Sequence, residues 1–314
     1  MTFAEVAIMP GVPITELPDT LVLGAGGTLG EAWLRGLLSG IESASGLDFR
    51  SCEYLVGTSA GSIVAAALAG GRRPEAGDRA AREWGEAAAP PAESSLRRLG
   101  GAAARLGAAA ASPLAPVALA GLEPAGRLAR AAALAAAPRP HRRLDGLGRQ
   151  LAALGAHFDG RLRVAVVDRR SGRRVMLGAP GAPTASVADA VLASCAVPWL
   201  FAPVEIGGRE YVDGGVWSPT NLDAAPGGRG ARVLCLAPTA GPATPRTAAG
   251  ALRAVTAAAL AAEEMALRAR GMRPRTIVPD AASIAAIGAD LMHAMPSERV
   301  LDAAFAQGQA LATG

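Results

Sequence analysis

EYLVGTSAGS, residues 53–62, runs a short apolar segment, Tyr54-Leu55-Val56, directly into Gly57-Thr58-Ser59-Ala60-Gly61. Ser62 to Ala69 follows with helical character and stops at Gly70-Gly71, so the stretch reads as strand, tight turn, helix. A serine on such an elbow is held clear of the backbone, and the crowded turn demands small neighbours. Gly57, Ala60 and Gly61 meet that demand. Gly-x-Ser-x-Gly is a weak signal by itself in a chain with 39 glycines. Whether Ser59 is a nucleophile therefore depends on an oxyanion hole and a base elsewhere.

The same plan occurs once before. Leu21-Val22-Leu23 enters Gly24-Ala25-Gly26-Gly27, and Glu31 to Ile41 then has helical spacing, with Trp33, Leu34, Leu37, Leu38 and Ile41 on one face. Two successive strand-to-helix units imply parallel strands in an α/β layer fold, with loops gathered at the strands' carboxyl ends. Both glycine loops then open on one edge of the sheet.

The 314 residues suffice for a sizeable core, and a single domain over 1–314 is expected. Composition is 51% hydrophobic but 4% aromatic, so the core must use Ala, Leu and Val, with close helix packing. All 31 basic side chains are Arg, and the one Asn is Asn221, a skew that reads as coding bias. A net charge of +4 allows attraction to anionic surfaces, including lipid headgroups. The arginines are scattered, without a basic run or aromatic interleaving, which argues against nucleic acid. Cys52, Cys195 and Cys235 have neither disulfide nor metal spacing and read as small buried hydrophobes.

The N-terminus carries acids and prolines and does not read as a signal peptide. The uncharged run Leu106 to Leu122 is broken by Pro113 and Pro116, too short and weakly apolar for a membrane span. A cytoplasmic protein with peripheral membrane contact is the expectation. Residues 74–140, rich in Ala, Arg and Pro, read as a helical insertion or lid, with Leu106–Leu122 as its lipid-facing part.

Beyond the insertion, Leu162 to Asp168 reads as a strand with an antiparallel partner at Arg174 to Leu177. Val187 to Ser194 is helix-like, Val197 to Pro203 reads as extended, and Glu210 to Asp213 as a short strand ending in Gly214-Gly215. A strand at Arg232 to Ala237, a long helix at Thr247 to Arg270, a strand at Thr276 to Val278 and helices over 281–294 and 297–312 complete the chain, the last three elements and the long helix forming a C-terminal block over 247–314.

Ester hydrolysis by serine needs a proton acceptor and donors aimed at the developing oxyanion. The Ala60 amide, at the head of a helix, is one candidate donor; Gly26, Gly27 and Thr28 of the first glycine loop are the others. A dinucleotide fingerprint fails because Leu29 stands where glycine or alanine is needed and Gly30 comes one place late. For the base, Ser59, Asp213 and His293 satisfy a Ser-Asp-His order, yet His293 sits in DLMHAMP on an apolar helix, and only two strands precede Ser59. Asp213 is then the candidate base. A non-catalytic lipid- or nucleotide-binding protein is the other alternative.

LVLGAGGTLG, GTSAG, ASCAVPWLFAPV and VDGGVWSPTN, in this order, resemble the patatin-like phospholipase family. The resemblance implies a three-layer α/β/α sandwich with a mostly parallel central sheet and a serine lipid acyl hydrolase. By motif position it implies Ser59 as nucleophile, Asp213 as base and Gly26 and Gly27 in the oxyanion hole, with Gly57, Gly61, Gly30, Gly214 and Gly215 as supports. It implies a lipid or acyl-ester substrate and no metal or organic cofactor. The family more often has glycine and arginine where this chain has Ala25 and Leu29, which weakens the expectation of a phospholipid substrate relative to ester cleavage.

Overall fold

The computed structural model describes residues 12–74, 126–242, 248–288 and 297–314. Leu106–Leu122, most of the expected insertion, and His293 lie outside the described residues.

The strands are β1 (Thr20–Leu23), β2 (Tyr54–Thr58), β3 (Leu162–Asp168), β4 (Arg174–Leu177), β5 (Val204–Ile206), β6 (Arg209–Asp213), β7 (Arg232–Leu236) and β8 (Arg273–Ile277). They form one sheet in the order β5-β6-β3-β2-β1-β7-β8, with β4 also on β3. β1, β2, β3, β7 and β8 run parallel, while β4 and β6 are antiparallel to β3 and β5 is antiparallel to β6. The sheet is thus mixed and mostly parallel, and its central strands TLVL and LRVAVVD are buried throughout, as strands covered on both faces must be.

The helices are α1 (Gly27–Ser45), α2 (Ala60–Ala69), α3 (Gly126–Ala136), α4 (Asp145–Ala153), α5 (Val187–Ser194), α6 (Ala248–Ala269), α7 (Ala281–Ile287) and α8 (Ser297–Thr313). Alternation along β1 divides them into two layers. Leu21 and Leu23 share one core with Trp33, Leu37, Ile63, Val191 and Leu301 from α1, α2, α5 and α8. Val22, between them, packs on the opposite face with Cys235 and with Leu260 and Leu267 of α6. Close approach of α1 and α8 follows from the small residues: a Cβ on Gly40 would collide with the Phe305 carbonyl, and one on Gly308 with that of Leu37.

Two segments differ from the sequence reading. Helix α1 begins at Gly27, so Thr28 and Gly30 belong to a helix and not to a loop. Val197–Pro203 turns instead of extending: the Leu200 amide donates to the Val197 carbonyl at 3.1 Å, with Pro198 second and Trp199, at φ 70°, third in the turn. That is the plan of a type II turn, whose third residue is usually glycine, so an apolar tryptophan concealed it. Among the described residues no helix is long and apolar enough to cross a membrane.

Candidate active site

The pairing around β3 brings two distant parts of the chain together. Thr58, the last residue of β2, lies opposite Ala165, and Asp213, the last residue of β6, lies opposite Val166. β4 pairs with both Ala165 and Val166. Because a strand has two edges, β2 and β6 must share the other one. They approach from opposite directions and meet tip to tip, which sets Ser59 beside Asp213. A Cβ on Gly214 would strike the Ala165 carbonyl, so the chain leaving Asp213 passes this point only as glycine.

Ser59 has φ 52° and ψ −123°, a strained conformation for a residue with a side chain. It is held by its neighbours. Its amide donates to Ser194 Oγ at 2.9 Å, and Ser194 Oγ donates to the Ala165 carbonyl at 2.8 Å. Its carbonyl accepts from Ser62 Oγ at 2.6 Å and from the Ser62 amide at 2.8 Å. The elbow leaves no space beside it: a Cβ on Gly57 would meet the Ser62 backbone, and one on Gly61 the Leu23 carbonyl.

Asp213 is buried, and its Oδ1 accepts from the Gly215 amide at 2.7 Å. Burial pushes its carboxyl up to about 7, against the opposing effects of the Gly215 amide and the neighbouring Ser59 hydroxyl. No described histidine acts on it; His141 and His157 are both exposed. Cys195 is buried beside the pair, and burial, reinforced by Asp213, raises its thiol well above the ordinary range. It is a packed neutral thiol.

Facing this pair are the first turns of α1 and α2. In adjacent β1 and β2, Leu23 lies opposite Gly57, so the glycine loop and the elbow leave the sheet side by side. The Gly24 and Ala25 amides are engaged by the carbonyls of Leu236 and Pro219, at 2.9 and 2.7 Å. Gly26 caps α1, Gly27 and Thr28 begin it, and Ala60 begins α2. Amides at these positions lack an intrahelical acceptor and lie at the positive ends of helix dipoles. Gly30 donates back to the Gly26 carbonyl at 2.8 Å, closing the first turn. Gly26 and Gly30 pack against Pro238, where a Cβ on Gly26 would come within 2.8 Å of its ring. Gly215 contributes its amide to Asp213 as described. Among the described residues no group of three or more His, Cys, Asp or Glu could hold a metal ion.

Sequence reasoning missed a second set of residues. Asn221, in the left-handed region at φ 51°, donates from Nδ2 to Ser218 O at 2.7 Å, Thr58 Oγ1 at 3.1 Å and Gly214 O at 3.3 Å. Its Oδ1 accepts from Arg174 at 3.3 Å, and Arg174 also clasps Asp223 and lies 5.2 Å from the Trp217 ring centroid. On the other side of that loop, buried Glu263 of α6 accepts from Thr220 Oγ1 and, at 3.0 Å, from the Leu222 amide. Burial raises the Glu263 carboxyl to about 7. One signal was available: Asn221 is the lone asparagine of the chain and stands eight residues after Asp213.

The arrangement offers a strained serine, a buried carboxyl raised to about 7 beside it and the first turns of two helices, parts suited to acyl transfer. No curated protein matches the chain. A similar solved structure is that of VipD from Legionella pneumophila, 16% identical, with a TM-score of 0.42, covering 95% of this chain and 67% of that one. The family model described as patatin-like phospholipase matches residues 21–226, a span that includes the glycine loop, Ser59 and Asp213. Covering more than half of the sequence, that match establishes that the chain belongs to the patatin-like phospholipase family.

Proposed function

We propose that this protein is a serine lipid acyl hydrolase in which Ser59 and Asp213 act as a dyad through an acyl-enzyme. Family membership supports lipid acyl hydrolysis as the class of reaction. The observation that carries the dyad is the meeting of β2 and β6 on one edge of β3, which sets the Ser59 hydroxyl against a buried carboxyl raised to about 7. An ordinary carboxylate, near 4, is a feeble base for a hydroxyl; one near the working pH serves far better.

Asp213 accepts the Ser59 proton as Oγ attacks the ester carbonyl, and the amides of Gly26, Gly27, Thr28 and Ala60 receive the oxyanion. Each such donor is worth roughly 3 kcal/mol of barrier. Collapse expels the alcohol, which takes the proton from Asp213. Water then gives a proton to Asp213 and attacks the acyl group; the fatty acid leaves and Ser59 regains its proton. The substrate is an acyl ester of a lipid, met at a membrane surface.

The test is release of p-nitrophenol from short- and long-chain esters by the full chain beside Ser59→Ala and Asp213→Asn, with fluorophosphonate labelling of Ser59. Loss of turnover by about a thousandfold or more in both folded variants is expected. Activity that survives either substitution refutes the dyad. Loss on His293→Ala instead favours a Ser-Asp-His enzyme.

A further inference from the structure

Helix α3 lies in the segment 74–140, and its inner face carries Arg130 and, one turn on, Leu134. Leu134 packs with Val167 of β3, Val212 of β6 and Val216, and Trp199 and Trp217 close the cluster. Arg130 is 1% exposed. Burying a guanidinium is costly, and this one is turned to backbone. Its Nε donates to the Val216 carbonyl at 3.2 Å, its Nη1 donates to the Gly172 carbonyl at 3.3 Å, and the group lies 4.4 Å from the Trp217 ring centroid. An apolar side chain would fill the same space without that cost, so what Arg130 adds is its donors.

Val216 and Trp217 belong to the turn that leaves Asp213. Gly214–Val216 is a single 3-10 turn, and its middle amide, that of Gly215, donates to Asp213 Oδ1 at 2.7 Å. The Trp217 amide closes the turn on the Gly214 carbonyl at 3.0 Å. Successive residues of β6 face opposite sides of the sheet. Tyr211 packs in the core shared by α2 and α5, Val212 in the cluster under α3, and Asp213 returns to the Tyr211 side, beside Cys195. Arg130 stands on the other face and reaches the carboxyl through the turn. A 3-10 turn this short holds few hydrogen bonds of its own, so an anchor on its last carbonyl fixes how its middle amide is aimed.

We propose that Arg130 is a positioning residue for Asp213: by anchoring the Val216 carbonyl and the Trp217 ring it keeps the Gly215 amide on the Asp213 carboxyl, and it thereby couples a helix of the 74–140 segment to the proposed base. The Gly215 amide favours the ionised carboxylate and opposes the effect of burial, so a loosened turn raises the pH at which Asp213 gives up its proton. The groups around Asp213 leave this bond as the adjustable one. The Ser59 hydroxyl is held by the elbow, and Cys195, at the end of α5, is a neutral thiol. On β6 and β3, Arg209 pairs with Asp168, and Glu210 pairs with Arg139 and Arg169. The clamp on the turn is independent of the acyl-hydrolase reading; its effect on the rate rests on that reading.

The experiment compares the full wild-type chain with Arg130→Met, which fills the space without donors, and Arg130→Lys, which keeps the charge but lacks the planar fork. Exchange of the Gly215 amide proton and the pH titration of the Asp213 carboxyl carbon are followed by NMR, with Asp213→Asn assigning the carboxyl resonance. In Arg130→Met the Gly215 amide exchanges about tenfold faster or more, and the titration midpoint rises by about one pH unit. Arg130→Lys falls between Arg130→Met and wild type. The pH at which kcat/KM for p-nitrophenyl esters levels off moves with the midpoint. Wild-type exchange and midpoint in Arg130→Met overturn the proposal, and so does complete restoration by Arg130→Lys, which assigns the effect to charge alone. Should Arg130→Met not fold, Arg130→Lys carries the test: faster exchange with a raised midpoint supports the clamp, and wild-type values overturn it. A moved midpoint in a protein that cleaves no acyl ester supports the clamp and rejects the acyl-hydrolase reading. A moved midpoint with an unmoved kinetic onset supports the clamp and refutes Asp213 as the base.

Discussion

Asn221 Nδ2 and Thr58 Oγ1 lie 3.1 Å apart across 163 residues of sequence. This contact joins the strand that leads into Ser59 to the loop that follows Asp213, and the same amide holds the carbonyls of Gly214 and Ser218. Arg174, donating to Oδ1, fixes which end of the Asn221 amide faces them. Replacement by alanine strands these buried acceptors and is expected to cost about 1–3 kcal/mol of stability. Misplacing Asp213 relative to Ser59 should lower kcat by about ten- to a hundredfold. Asn221→Asp, despite equal size, turns an acceptor toward the same carbonyls and should be at least as harmful. An Asp variant with wild-type kcat would show that the contact does not position the pair.

The raised carboxyl of Asp213 has a kinetic consequence. In the proposed role of base it must be ionised, so kcat/KM should climb with pH and level off above about 7. A histidine base would give a similar onset, so the profile is measured again in a variant with His141, His157 and His293 all replaced. The dyad predicts the same onset there.

The same shift has a thermodynamic consequence of definite sign. Between about pH 4 and 7 the native Asp213 keeps its proton while the unfolded chain has released it, so stability falls as pH rises through that window. The elevation from 3.8 to about 7 corresponds to an effect of order 4 kcal/mol. Asp213→Asn removes this cost and keeps an acceptor for the Gly215 amide. Urea unfolding should show the variant more stable than wild type at pH 8, with the difference vanishing near pH 4. Glu263 titrates in both proteins and cancels.

The parallel framework was legible because β1 and β2 are buried runs ended by glycine and followed by helical spacing, and each of those signals is local. Ser59 and Asp213 could be named from their motifs, but not how they meet. Their proximity comes from β6 running antiparallel to β3 and stopping where β2 stops, a matter of register between strands more than 150 residues apart, which no spacing along the chain encodes. Ser194 illustrates the same limit: its hydroxyl points to Ser59 only because α5 packs beside α2, and in the sequence it is an ordinary helix-terminal serine. Asn221 stands out in composition as the lone asparagine, but nothing local in the sequence ties it to Thr58 or Gly214. The turn at Val197–Leu200 was hidden because tryptophan occupies the place where glycine would have announced it.

Ser194 gives a further prediction. Its Oγ accepts from the Ser59 amide and donates to the Ala165 carbonyl, so it braces a residue held at positive φ. Ser194→Ala leaves the Ser59 amide buried and unsatisfied, which should cost about 1–3 kcal/mol in denaturant unfolding. With the elbow free to relax toward ordinary backbone angles, the rate of fluorophosphonate labelling at Ser59 should fall by about tenfold or more. A variant labelled at the wild-type rate would mean that α2 packing alone sets the elbow.

The last prediction separates crowding from backbone conformation at two glycines. Gly61 does not lie in the left-handed region, yet an added Cβ would collide with the Leu23 carbonyl and press on that of Gly24, both backbone atoms that cannot swing aside. Gly46, the α1 C-cap at φ 75°, has open space around the position of a Cβ. Gly46→Ala should therefore cost only the conformational penalty, about 1 kcal/mol, and leave turnover intact. Gly61→Ala must push α2 away from β1 and should cost about 1–3 kcal/mol or more by overpacking. Because Ser59 and the Ala60 amide sit at the head of α2 while β1 leads into Gly26 and Gly27, the same displacement widens the gap between the proposed nucleophile and the proposed oxyanion donors. Its kcat should drop together with its stability, whereas Gly46→Ala, with a comparable Tm change, should not alter kcat. Equal kinetic effects at the two sites would show that stability, and not the spacing of elbow and loop, governs the rate.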